Sequence, residues 1–158
     1  MGCQKFYEYR AYFLAAAGIV EFRDYFRAYQ IVTQIVKWTI DSQSSIKKEA
    51  GSALQQTDRT KAIAALVQVL QSTTVDDYTR REAVNSLGEI GTGNEIAIAA
   101  LVQLLQSTTV DDSTRWLAAS SLGKIDPGNE IAIAALVQLL QSTTVDDSTR
   151  WLAASSLG

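Results

Sequence analysis

The chain has 158 residues, with 14 basic and 17 acidic side chains and a formal net charge of −3. It contains no histidine and a single cysteine, Cys3. Histidine-based catalysis, Ser–His and Cys–His nucleophiles and His-ligated metal sites are therefore excluded, and a lone cysteine favours a reducing, cytoplasmic compartment. The acidic balance and the lack of a Lys/Arg stripe argue against a nucleic-acid partner. No Walker-type phosphate loop occurs, so the sequence predicts no catalytic residue, no cofactor and no metal.

The first 60 residues are rich in aromatic side chains and predict three diverged helices. Residues 11–20 form an apolar run that is too short to span a bilayer, so no membrane partner is expected. We interpret this run as part of a helix, because it aligns with the second helix of the repeats that follow it; a secretory leader is the alternative. Residues 25–39 and 46–55 have the apolar spacing of the first and second helix of a pair.

From residue 61 onward the chain repeats itself. Residues 93–123 return letter for letter as residues 128–158, and residues 61–93 are a diverged copy. The identical copies begin 35 residues apart. A fixed period between about 20 and 50 residues is typical of solenoids, whose repeats bury their apolar faces against one another.

The first half of each repeat, IAIAALVQLLQ, predicts a helix that we call helix A, over residues 129–141 of the last copy. Asn129 stands where an N-cap is expected. Four apolar side chains recur at i, i+3, i+4 and i+7 and are expected to form the buried face. They are Ile133, Leu136, Val137 and Leu140.

The second half, DDSTRWLAASSLG, predicts helix B over residues 112–123, after a short turn in QSTTV. Asp111 is expected to cap this helix, and Gly123 is expected to end it in the left-handed conformation. The side chains expected on its buried face are Thr114, Ala118, Leu122 and Ile125.

Together these segments predict an all-α fold, an α-solenoid of antiparallel helix pairs (an armadillo-type superhelix) with about nine helices. Residues 1–60 are expected to form the diverged, aromatic-rich helices. Residues 61–158 hold three regular repeats, 61–95, 96–130 and an incomplete 131–158. Because the last copy is identical to an internal one and has no polar cap, we expect either a piece of a longer array or end-to-end self-association through the C-terminal helix pair.

The repeat resembles the HEAT repeat, in the short form called phycobilisome-lyase-type HEAT. The second helix of that family reads acid, Val, Arg, a run of Ala, Leu, Gly and Ile. The matching positions here are Asp111, Thr114, Arg115, Ala118, Leu122, Gly123 and Ile125, with Thr114 in place of the usual Val. The resemblance implies a protein-binding scaffold without catalysis, and a phycobilin lyase-type subunit acting on phycobiliproteins is the alternative.

The aromatic-rich opening, FYEYRAYFLAAAGIVEF, followed by IVTQIVKW and DRTKAIAALVQ, is similar to a different group of proteins. It resembles the start of the HEAT-like C-terminal region of cyanobacterial NACHT-type NTPases, over roughly the first 70 residues. This resemblance implies that the scaffold is part of a larger signalling NTPase.

The candidate binding surface lies on the side of helix B that faces away from its buried side chains. Trp116 and Trp151 would stand beside one another there, and exposed tryptophans are frequent interface anchors. The alternative is that each indole covers the adjacent helix B and extends the core. The residues expected on this surface, which we call the strip, are Tyr78, Arg81, Asn85, Trp116, Ser120, Trp151 and Ser155.

Two charged positions recur with the repeat. The acids are Asp76, Asp111 and Asp146, and they are expected to cap helices rather than to hold metal ions. The bases are Arg80, Arg115 and Arg150. They are expected to form a structural ladder, each with an acid of the neighbouring repeat, and partner contact is the alternative.

Overall fold

The computed structural model describes residues 13, 15, 25–41, 46–107 and 109–157. Within these ranges it contains helices and no strand. In chain order we label them α1 (Tyr25–Ile40), α2 (Lys47–Gln56), α3 (Arg59–Gln71), α4 (Asp77–Ile90), α5 (Glu95–Gln106), α6 (Asp112–Ile125), α7 (Glu130–Gln141) and α8 (Asp147–Leu157). The predicted all-α solenoid is confirmed. The helix predicted before residue 25 lies, apart from Phe13 and Ala15, outside the described residues.

The described chain divides into two compact units, and the division falls inside α3, between Leu66 and Val67. In the first unit α1 packs against α2. Its buried side chains include Ile35 from α1 and Leu54 from α2. The ring of Phe13 meets that of Trp38 edge to face, with centroids 6.0 Å apart.

In the second unit the helices alternate between two layers. The B helices α4 and α6 pack closely, α8 packs against α6, and the A helices α5 and α7 hardly touch one another. Each A helix packs against the B helix of its own pair, and α7 also packs against α6. The core therefore lies between the layers, and the B layer is the denser of the two. Within the described ranges no helix is both long and apolar enough to cross a bilayer.

The helices begin where the sequence places capping side chains. The side chain of Asn129 accepts hydrogen bonds from the backbone N–H groups of Ile131 and Ala132, both at 3.1 Å. Asn94 does the same at the start of α5. These bonds satisfy amides that have no partner within the helix, so the boundaries follow from local chemistry.

The prediction that helix B ends at Gly123 in the left-handed conformation is wrong. α6 continues for two residues to Ile125, whose side chain is buried. The carbonyl of Ile125 also accepts a hydrogen bond from the backbone N–H of Gly93 at 2.9 Å. In the part of the chain that the structure describes, the glycines with positive φ are Gly93 and Gly128, at +66° and +85°, and both lie in turns between helix pairs. Burial of Ile125 and this backbone bond hold the last turn of the helix in place.

The buried face predicted for helix A is correct only in part. In α7 the buried side chains are Ala132, Leu136 and Leu139. Ile133 is 46% exposed and Val137 is also exposed, although both were expected in the core. The equivalent Ile98 and Val102 on α5, in the same sequence, are half-buried. Exposure at these two positions therefore depends on the neighbouring helices and not on the apolar period alone.

Candidate functional site

The strip lies on three B helices that are neighbours in the second unit. α4 and α6 pack side by side, and α6 and α8 do the same. Equivalent positions therefore follow one another across the layer, as the 35-residue period predicts. Arg81 on α4, Trp116 on α6 and Trp151 on α8 are such equivalent positions. Trp151 has 68% of its surface exposed, and Tyr78, three residues before Arg81, is also exposed.

Trp116 lies half-buried against the apolar cluster that joins the last two helix pairs. The cluster consists of Ala119, Leu136, Leu139, Val145 and Ala153. The indole Nε1–H donates a hydrogen bond to Oγ of Ser156 on α8, at 3.1 Å. Trp116 thus covers the adjacent helix B, whereas Trp151, in an identical stretch of sequence, is exposed.

Arg81 stands at the Trp position on α4, and the packing beneath it differs. A Cβ atom built on Gly88 of α4 would lie 2.8 Å from Oγ of Ser121, so the two B helices approach closely there. Ser121 is fully buried, and its Oγ has no hydrogen-bond partner among the described residues. The equivalent Ser156 accepts the indole N–H of Trp116. The repeat therefore builds two kinds of interface between B helices, a close one at Gly88 and one that contains an indole.

Polar members of the strip have local partners. Nδ2 of Asn85 donates to Oε1 of Glu89 at 3.4 Å, one turn along α4. Ser120 is half-buried and Ser155 is exposed. These side chains give the strip hydrogen-bonding capacity between its aromatic ends.

The recurring aspartates cap the B helices. The carboxylate of Asp111 accepts the backbone N–H of Thr114 at 3.0 Å and its hydroxyl at 2.6 Å. Burial raises the pKa of Asp111, but the hydrogen bonds from Thr114 and the charge of Arg81 outweigh it, so the pKa lies below its ordinary value. These carboxylate oxygens are engaged by the helix itself, which is the structural role of an N-cap.

Asp76 and Asp146 occupy the same place on α4 and α8. The backbone N–H of Thr79 lowers the pKa of Asp76. The hydroxyl of Ser148, together with Thr149, lowers that of Asp146 strongly. Each of these bonds favours the ionised carboxylate, which also suits the positive end of the helix dipole.

The arginines pair within their own repeat rather than with the neighbouring one. Arg115 donates to Oδ1 of Asp112 at 3.2 Å and to the carbonyl oxygens of Ser107 and Val110, at 3.4 and 3.2 Å. Arg150 repeats this pattern, and Arg80 makes the equivalent bonds to Asp77 and Ser72. The predicted inter-repeat ladder is wrong, because each guanidinium donates to an aspartate and to a turn carbonyl of its own helix pair.

Sequence reasoning missed an apolar surface on the A layer. Ile96 on α5 is 55% exposed. It lines a groove of about 410 Å³ with Ala99, Val67 and Gln71, among others. The sequence feature that could have predicted this surface is the segment Ile–Ala–Ile at the start of helix A. Its two isoleucines lie on opposite sides of the helix, so both cannot be buried in the same core.

Comparison with known proteins gives one family. A family model described as HEAT repeats matches residues 32–112 and, again, residues 73–158. Among curated proteins no significant match is found.

Proposed function

The chain belongs to the HEAT repeat family, and from that premise we propose that it is a protein-binding scaffold without catalysis of its own, with the strip as its binding surface. HEAT repeats commonly serve as protein-interaction scaffolds. The observation that supports the strip is the exposure of two aromatic side chains on B helices, Trp151 at 68% and Tyr78 at 36%. Exposed aromatic side chains beside polar groups are typical anchors of protein interfaces.

The partner that suits this surface is an extended or helical peptide segment with apolar side chains. Such side chains would cover Trp151 and Tyr78, while Asn85, Ser120 and Ser155 offer hydrogen bonds between them. The indole of Trp116 already donates its N–H to Ser156 and packs against the apolar cluster. It would therefore offer a partner mainly the apolar surface of its ring.

Site-specific photo-crosslinking tests the proposal. A photoreactive amino acid is placed at Ser120 or Ser155 on the strip, and at Gln103 or Gln138 on α5 and α7 as matched controls. All four side chains lie on helices of the two identical copies, and none is buried. We expect the two strip positions to crosslink the same protein in source cells, and the control positions not to do so.

Crosslinking from Gln103 and Gln138 instead would move the binding surface to the A layer and contradict the proposal. A second variant, Ser155→Arg, places a bulky charged group on the strip without disturbing a buried residue. It should reduce capture of the crosslinked partner and leave the far-UV CD spectrum unchanged.

Two finer proposals rest on sequence resemblance. The first is that the scaffold belongs to a NACHT-type signalling NTPase in the cytoplasm, and it requires an upstream phosphate-binding loop in the same reading frame. The second is a phycobilin lyase-type role, for which the chain should transfer bilin to an apo-phycobiliprotein. Absence of the loop removes the first, and absence of chromophore transfer removes the second.

End-to-end self-association through the C-terminal helix pair is a further proposal. It is favoured by the exposed apolar side chains on α7 and α8, which include Ile133 and Leu157. Sedimentation velocity over a range of concentrations tests it, since a monomer at every concentration would contradict it.

A further inference from the structure

A cleft of about 310 Å³ lies between the turn that follows α3 and the turn that follows α5, within the second unit. Its buried lining is apolar and consists of Leu70, Ala100, Leu104 and Val110. Its more exposed lining carries the hydroxyl groups of Ser72, Thr73, Ser107 and Thr109. Sites for small molecules begin at about 300 Å³, so the cleft can hold a small molecule or part of one.

Arg80 also lines this cleft, and its bonding differs from that of its counterparts. It is the most buried of the three recurring arginines, with 17% of its side chain exposed compared with 25% for Arg115. Among the described residues it nevertheless makes the fewest hydrogen bonds, one to Asp77 at 3.3 Å and one to the carbonyl of Ser72 at 3.4 Å. Arg115 makes a third, to the carbonyl of Val110. A guanidinium has five N–H donors, so Arg80 combines partial desolvation with donors that a ligand could use.

The cleft continues into the groove beside Ile96. The residues that line both are Gln71, Ala100 and Gln103. We call the cleft and the groove together the trough. Because an α-helix rises about 1.5 Å per residue, Ile96 lies about 10 Å along α5 from Gln103. The trough is therefore elongated, with a cation at one end and an exposed isoleucine at the other.

We propose that the trough binds a monocarboxylate with an unbranched apolar chain, its carboxylate on Arg80 and its chain directed along α5 towards Ile96. The guanidinium matches a carboxylate in both geometry and charge. Glu95 lines the far end of the groove, and its charge disfavours the reverse orientation. Asp77, which already pairs with Arg80, favours a ligand with one negative charge over a phosphate with two.

The next junction in the chain supplies matched controls. Between α5 and α7 the places of Arg80 and Ile96 are taken by Arg115 and Ile131. Since Arg115 has a third hydrogen bond within its own helix pair, we expect the ligand at the first junction. The trough runs along the A layer and the strip along the B layer, so this inference does not rest on the proposed function.

The test is a titration of the isotope-labelled chain with octanoate, followed by two-dimensional amide NMR. We expect saturable shift changes at Thr73, Gln103 and Thr109, which line the cleft. Octylammonium has the same chain with the opposite charge, and acetate has the same head group without the chain. Neither should reproduce the saturable changes over the same concentration range.

Variants at the two ends of the trough test the orientation of the ligand. Arg80→Gln should weaken octanoate binding about tenfold, because it removes a charged hydrogen-bond donor, and Arg80→Lys should restore part of the loss. Ile96→Ser should weaken octanoate about threefold, because it removes apolar surface from the far end. The matched controls Arg115→Gln and Ile131→Ser should leave octanoate binding unchanged.

A variant in the middle of the trough tests the site without changing Arg80. Gln103 is exposed, so its replacement should leave the far-UV CD spectrum unchanged. Gln103→Glu places a negative charge beside the ligand and should weaken octanoate about fivefold, whereas Gln103→Lys should strengthen it. Gln138→Glu, at the same position of the next copy, is the matched control.

Three outcomes would overturn the proposal. The first is a folded chain in which octanoate causes no saturable shift, or in which octylammonium causes the same shifts. The second is an equal loss of binding from the variants at the first junction and from their controls at the next. The third is capture of a protein from Gln103 by photo-crosslinking, which would show that a polypeptide occupies the trough. Octanoate binding and crosslinking from Ser120 are measured separately, so failure of the trough and failure of the strip are distinguishable.

Discussion

Trp116 and Trp151 occupy identical sequence contexts but should contribute differently to stability. A tryptophan buries up to about 200 Å². At 68% exposure Trp151 has roughly 65 Å² covered, and Trp116 has at least about twice that area covered. At about 25 cal/mol per Å² the extra area corresponds to about 1.6 kcal/mol. The hydrogen bond to Ser156 adds about 1 kcal/mol. Trp116→Ala should therefore lower the free energy of unfolding by about 2 to 3 kcal/mol more than Trp151→Ala.

The measurement is urea unfolding of both variants followed by far-UV CD, together with amide hydrogen exchange. Repeat arrays can lose terminal elements first, so exchange within α8 separates local from global unfolding. We expect faster exchange in residues 147–157 for Trp116→Ala and little change for Trp151→Ala. Equal losses for the two variants, or a larger loss for Trp151→Ala, would refute the view that Trp116 joins α6 to α8 while Trp151 lacks cover.

Two further predictions use matched positions, and a third concerns the pH dependence of stability. Gly88→Ala should destabilise the chain by about 1 to 2 kcal/mol in thermal unfolding, since its Cβ would crowd Ser121. A Cβ atom at Gly123 would have nothing within 4 Å, so Gly123→Ala should stabilise the chain by about 0.5 to 1 kcal/mol. If both substitutions stabilised the chain, or both destabilised it, the close approach of α4 and α6 at Gly88 would be contradicted. Ser121→Ala removes a buried hydroxyl that lacks a partner and should be neutral or stabilising, whereas Ser156→Ala should cost about 1 kcal/mol. The pKa of Asp111 is lowered in the folded state, so its contribution is present above the unfolded value of 3.8 and is lost as the pH falls through the lower folded value. Below about pH 4 the free energy of unfolding, measured with urea, should therefore fall less steeply in Asp111→Asn than in the parent chain. Parallel pH profiles of the two chains would show that this carboxylate does not contribute to the pH dependence of stability.

The period of the sequence was sufficient to predict the fold. Exact repetition places equivalent residues on neighbouring helix pairs, and cap residues such as Asp111 and Asn129 mark where helices begin. The end of helix B could not be predicted in the same way. Glycine is the residue type that most often follows a helix, which favours an end at Gly123. Burial of Ile125 outweighs this preference and extends the helix by two residues.

The candidate site was predictable only as a row of positions. The sequence indicates that Trp116 and Trp151 face the same way, yet their exposure depends on which helix follows each of them. The arginine ladder failed for a related reason. Arg115 has acceptors in its own turn at Ser107 and Val110, and no sequence pattern ranks these carbonyl oxygens against a carboxylate of the next repeat.

The self-contained arginine network has a consequence for how such a chain can change over generations. In both identical copies the guanidinium and its acid belong to the same helix pair, as with Arg115 and Asp112. Among the described residues, the two helix pairs contact one another through an apolar cluster and through the hydrogen bond from the Trp116 indole to the Ser156 hydroxyl. If unequal recombination added or removed one whole copy, each of these arginines would keep its aspartate, and no ion pair would be broken where two copies are newly joined. Such a gene could vary in copy number with each intermediate length still able to fold.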